Sequence, residues 1–156
     1  MHHRFTEPTY VQLLNELLRI NNDRIEGYKK VLKQLHDSDM RGVLVSLSDE
    51  SKIFEVDLAL EILKHGGTPL VGTTTMAGRV YRLWIDVKEV IAGKDPMSVI
   101  KACEHAEKGV RALCQKALHH PDITPNMQGK IRNQQASFRI SYDAVNGHGD
   151  MKIALK

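Results

Sequence analysis

Residues 10–35 read YVQLLNELLRINNDRIEGYKKVLKQL. Tyr10, Leu14, Leu17, Leu18, Ile25, Tyr28, Leu32 and Leu35 recur mostly three and four apart, the period of one helix face. Asn21 falls on the same stripe near mid-helix, where an apolar residue belongs. The pattern returns in residues 39–65, with Met40, Val43, Leu44, Leu47, Phe54, Leu58 and Ile62 on one face. Gly66-Gly67-Thr68-Pro69 then supplies a C-cap glycine and a proline just beyond it. Asp95-Pro96 provides an N-cap and a first-turn proline for a third helix to about Leu118, carrying Val99, Cys103, Ala106, Val110, Leu113 and Ala117. Thr124-Pro125 repeats that signal for a fourth, with Met127, Ile131, Gln134, Phe138, Ser141, Tyr142 and Val145 on its stripe. Gly147 is its expected end, leaving residues 147–156 as a flexible tail.

The connections choose the architecture. Short links join the first helix to the second and the third to the fourth, so each pair is expected to be an antiparallel hairpin. Residues 70–95 between the hairpins hold Gly72-Thr73-Thr74-Thr75, a helix-start signal, and then Met76, Val80, Leu83, Trp84, Val87 and Ile91 at helical spacing. A connection of that length returns along the bundle, so helices two and three should run parallel. The expected fold is a single all-α domain over residues 1–156, its core about 10–146. It is a ferritin-like four-helix bundle whose long crossover carries a short extra helix.

Composition narrows the function. Net charge is +3, and the basic residues are spread along every helix rather than clustered, which argues against a nucleic-acid partner. No apolar run reaches the roughly 18–20 residues of a membrane helix, and no signal peptide opens the chain. Cys103 and Cys114 lie eleven residues apart on one expected helix, too far for an internal disulfide. Together these features predict a cytoplasmic protein with no membrane partner.

Each helix also carries one polar residue on or beside its buried stripe: Asn21, Glu50, Glu107 and Gln134. The two hairpins form a weak repeat, since Glu50 and Gln134, and Phe54 and Phe138, are each 84 apart, and Asn21 and Glu107 are 86 apart. Asn21 through Tyr28, and the Asp49–Phe54 stretch followed by Gly66-Gly67-Thr68-Pro69, resemble the first- and second-helix motifs of bacterioferritins and rubrerythrins. More narrowly, the Ile20–Tyr28 and Asp49–Ser51 stretches, Gly72-Thr73-Thr74, Trp84, Gly93–Asp95 and Ala102–Glu104 resemble a bacterial family of ferritin-like proteins known as a domain of unknown function.

In the di-metal members of that superfamily, two helices each give a Glu and the other two each give a Glu-x-x-His. The resemblance puts Asn21 at the first Glu position, Glu50 and Ile53 at the second helix's Glu and His positions, and Glu107 on the third helix, with Glu104 a less inward candidate. Gln134 and Ser137 stand where the fourth helix's Glu and His would be. Two carboxylates remain and neither histidine does, and Ile53 and Ser137 cannot replace an imidazole. Glu50 and Glu107 are thus the vestigial metal positions, with Asn21 and Gln134 lining the same polar core. Arg24, one turn beyond Asn21, is placed to neutralise one of the carboxylates.

These residues predict a satisfied polar network inherited from a metal-site ancestor, in a non-catalytic protein that works by binding or assembly. No catalytic or cofactor-binding residue is expected. One alternative is a metal-dependent oxidoreductase or ferroxidase. Another is a single hard cation, Mg²⁺ or Ca²⁺, held by Glu50, Glu107 and the amide oxygens. A third is a small-molecule pocket lined by Asn21, Tyr28, Glu50, Glu107 and Gln134. Partners are limited to a homo-oligomer or another protein. Glu61 and His65 read as a capping or surface pair, and the two cysteines as small core residues.

Overall fold

A computed structural model of the chain describes residues 8–33, 35–36, 38–72 and 96–154. They form four helices: α1 (Tyr10–Leu32), α2 (Ser38–Lys64), α3 (Pro96–Leu118) and α4 (Pro125–Ala154), with no strand among the described residues. The extra helix expected at residues 76–91, with Trp84, lies outside the described residues.

Local chemistry sets the helix ends. Thr9 caps α1 in a capping box: its hydroxyl accepts from the Gln12 N–H at 3.1 Å, and the Gln12 side chain accepts from the Thr9 N–H at 2.9 Å. Arg41 donates to the carbonyls of Leu32 and Leu35, satisfying acceptors at the end of α1. Gly66, at φ +77°, closes α2 in a Schellman turn in which the Gly67 N–H donates to the Ile62 carbonyl at 2.9 Å. Asn15 fixes that turn to α1, donating to the Thr68 carbonyl at 3.1 Å and accepting from the Leu70 N–H at 3.0 Å. Thr124 caps α4, accepting from the Met127 N–H at 3.2 Å. The fourth helix does not end at Gly147 but continues through it to Ala154. A glycine inside a helix costs about 1 kcal/mol relative to alanine, so it weakens the helix without obliging it to stop.

The helices pack in a cycle: α1 against α2 and α3, and α4 against α2 and α3. Cross-helix pairs give the directions. Tyr10 at the start of α1 meets His120 just past α3, while Arg24 and Tyr28 farther along meet Glu107. Lys130 pairs with Asp57, and Thr124 with Glu61 nearer the end of α2. Both neighbouring pairs are antiparallel. With α1 and α2 joined as a hairpin, α2 and α3 therefore run parallel on one diagonal. Leu14, Leu17, Leu18, Leu58, Ile62, Cys114, Ala117 and Ile131 have no exposed surface and form the centre of the core. Among the described helices, none is long and apolar enough to cross a membrane.

Glycine positions give a direct check on this packing. A Cβ on Gly67 would meet Val11 Cγ1 at 2.5 Å and Ile62 Cγ2 at 3.0 Å, whereas one on Gly42 or Gly129 would meet nothing within 4 Å. Gly42→Ala and Gly129→Ala, both inside helices, should each raise stability by about 0.5–1 kcal/mol. Gly67→Ala should lower it by about 1–3 kcal/mol. Urea denaturation of the three variants tests both signs, and a stabilising Gly67→Ala would contradict the close approach of α1 to this turn.

A guanidinium at the candidate functional site

Six consecutive residues of α1, Ile20 through Ile25, are buried, so the helix is covered on all sides at this level. Four of the six are polar or charged: Asn21, Asn22, Asp23 and Arg24. Arg24 has no exposed surface, and around it the polar residues of three helices meet. Its Nη1 donates to both Glu107 carboxylate oxygens, at 2.9 and 3.1 Å, and its Nη2 donates to Asn21 Oδ1. Gln134, its amide oxygen turned toward Arg24, accepts from Nη1 at 2.9 Å and Nη2 at 2.7 Å. Tyr28 donates to Glu107 Oε1 at 3.3 Å, and Asn21 Nδ2 donates to the Ser51 carbonyl at 2.8 Å. Among the described residues, Arg24 Nε alone of the guanidinium nitrogens finds no partner.

The electrostatics of this cluster are those of a closed ion pair. Burial works against the Arg24 charge, but the Glu107 carboxylate, with Tyr28 and Cys114 beside it, prevails and holds the guanidinium above its ordinary range. Cys114 lies in the same field, and burial pushes its thiol up to about 12 although Arg24 pulls it down. A neutral buried thiol is a packing group rather than a nucleophile.

Three of the four polar residues read from the sequence, Asn21, Glu107 and Gln134, converge on Arg24. Glu50 does not join them: it is half-buried on α2 and makes no hydrogen bond or ion pair with the other described residues. The inward positions of α2 at this level are Ser48, Ser51 and Phe54, and Ile53 is 64% exposed on the outer surface. Ile53 is therefore not a vacated ligand position. Ser137 is half-buried on α4, and the Glu104 side chain lies outside the described residues. Among the described residues, no group of three or more His, Cys, Asp or Glu side chains is placed to hold a metal ion. The donor set does not fit a di-metal centre either, because Asn21, Glu107 and Gln134, which the sequence resemblance sets at ligand positions, already accept from a cation.

The small-molecule pocket expected at the bundle centre is filled by the same guanidinium. A cleft of about 540 Å³ opens instead between α3 and α4, reaching the cluster only through Glu107 and Gln134 and rimmed by Arg111, Arg139 and Asp143.

Glu61 also departs from its sequence reading. It is buried, not a surface or capping residue, and accepts from the Tyr10 and Thr124 hydroxyls, each at 2.6 Å, with His65 Nε2 at 3.8 Å. Burial pushes its carboxyl up, but the two hydroxyls and the charges of His65 and Lys64 prevail and hold it below its ordinary 4.5. The folded value lies below the unfolded one, so the stabilisation is present above pH 4.5 and is lost as pH falls through the lower folded value. Glu61→Gln should thus destabilise at pH 7 by about 1–3 kcal/mol and flatten the acid limb of stability against pH. An unchanged acid limb in urea melts across pH 3–7 would contradict the assignment.

No curated protein and no solved structure matches the chain. Residues 9–120 match the family described as Domain of unknown function (DUF2383), a span that holds α1, α2, α3 and every residue of the Arg24 cluster except Gln134, and the chain belongs to that family.

Proposed function

We propose that the chain is a ferritin-like bundle in which a guanidinium has taken over the place of a di-metal centre, and that it works without catalysis, through binding or assembly. The observation that carries this reading is Arg24, fully buried and hydrogen-bonded to Asn21, Glu107 and Gln134. Hard divalent ions need several anionic oxygens. Here one carboxylate and one guanidinium sum to zero, and an added divalent ion would sit beside a fixed positive charge. The parallel diagonal pair α2 and α3 supports the ferritin-like arrangement, which joins its hairpins by one long crossover. A cytoplasmic setting belongs to the same proposal.

The oxidoreductase or ferroxidase alternative requires Arg24 to leave the cluster. So does a single Mg²⁺ or Ca²⁺ held by Glu50, Glu107 and the amide oxygens. Elemental analysis of tag-free protein purified without chelator should find no stoichiometric iron or manganese, and adding Fe²⁺ should cause no oxygen uptake beyond the buffer rate. Two tightly bound irons per chain, or uptake that disappears in Glu107→Ala, would overturn the proposal.

A further inference from the structure

α2 is apolar on two faces. Its core face carries Met40, Leu44, Leu47, Phe54, Leu58 and Ile62. On the opposite side Val45, Ile53, Val56, Leu60 and Leu63 are 43–64% exposed, and exposed Leu70 and Val71 follow beyond the exit turn. From Ile53 to Leu63 the spacings are three, four and three, one straight stripe over three turns. The five side chains on α2 expose roughly 500 Å², at the upper end of the largest apolar patch on a typical monomer.

We infer that this stripe is the contact between two copies of the chain, with their α2 helices antiparallel about a two-fold axis near Val56. A two-fold contact sets one patch against itself, and the charges at the border of this stripe match that arrangement. Asp49 and Lys52 are exposed upstream of the axis, a loose pair 3.9 Å apart, and Lys64 is exposed downstream. An antiparallel pair brings Ile53 of one copy level with Leu60 of the other, and Asp49 level with Lys64. A parallel pair sets Asp49, Lys52 and Lys64 each beside its own like charge, which is repulsive. A helix lying on an anionic membrane is bordered by basic residues, whereas this stripe is bordered by both signs.

The area suffices for a dimer. Two stripes give roughly 1,000 Å², and the bordering charged side chains carry the total toward the roughly 1,600 Å² of a standard interface. A second copy is the partner in the assembly role proposed above. The contact is separate from the Arg24 cluster, so metal analysis tests that reading and sedimentation tests this one.

Sedimentation equilibrium of the full chain, from about 1 to 100 µM, should find a dimer. Val56→Asp should weaken it about a hundredfold or more, with helical circular dichroism and thermal midpoint showing the fold intact. Asp49→Lys should weaken it about tenfold, and Asp49→Lys with Lys64→Asp should restore it. Under mild oxidation Val56→Cys should cross-link between copies and Val45→Cys should not. A wild-type monomer at the highest concentration, a dimer indifferent to Val56→Asp, or equal cross-linking of Val45→Cys and Val56→Cys would overturn the inference.

Discussion

Arg24→Met should lower the unfolding free energy by about 3–5 kcal/mol, the loss expected when one partner of a buried ion pair is removed. Methionine fills much of the volume, so the effect is electrostatic before it is steric. Glu107 is 5% exposed and loses the cation beside it, while the Asn21 and Gln134 oxygens lose their donor. Glu107→Leu alone should cost about as much, because it leaves the guanidinium charge unpaired in the core. The double variant, Arg24→Met with Glu107→Leu, removes both charges. It should return to within about 1–2 kcal/mol of wild type, leaving a coupling energy of several kcal/mol in the cycle. Urea midpoints of the four proteins measure this. A single-variant loss under about 1 kcal/mol would mean that the pair is solvated and that the cluster is not closed.

Much of the helical layout was legible in the sequence because it rests on local signals. The Gly66-Gly67 turn and Thr124-Pro125 act on their own neighbours, and periodicity marks α1 and the described part of α3 without ambiguity. The fourth helix runs past Gly147, because the cost of a glycine is local and does not oblige a helix to stop. On α2 the periodicity marks the inward face correctly, since Met40, Leu44, Leu47, Phe54, Leu58 and Ile62 are all buried. What misleads there is the motif resemblance, which sets Glu50 and Ile53 at ligand positions, when Ser51 and Phe54 hold the inward positions and Ile53 belongs to a second apolar side with Val56, Leu60 and Leu63. Arg24 was readable as a neutralising charge near Asn21. Its position among three helices was not, because its choice of Glu107 over Glu50 depends on tertiary distance. Glu61 escaped for the same reason: Tyr10 and Thr124 lie 51 and 63 residues away in the chain, and no local pattern links them.

On the proposed function the chain should fold without divalent cations, and Arg24→Ala combined with Asn21→Glu and Gln134→Glu should make it need them. The triple change replaces a neutral cluster by three carboxylates around the space the guanidinium leaves, two at the buried positions 21 and 107 and one at the half-buried position 134. Without a cation, their mutual repulsion and desolvation should leave the variant largely unfolded. A hard cation bound by the carboxylate oxygens reverses both terms. At a concentration about a hundredfold above its dissociation constant, Mn²⁺ would stabilise the fold by about 2.7 kcal/mol. The same two carboxylate substitutions made with Arg24 retained leave the cluster short of positive charge and therefore less stable, but Mn²⁺ should rescue that protein less, since the guanidinium still fills the space an ion would take. Ile53→His should add nothing to either protein, because the new ring would stand on the exposed face of α2. Thermal melts with and without Mn²⁺ and chelator distinguish these cases. A wild-type midpoint that falls on chelation, or a triple variant that folds equally well in chelator, would show that Arg24 does not stand in for a metal.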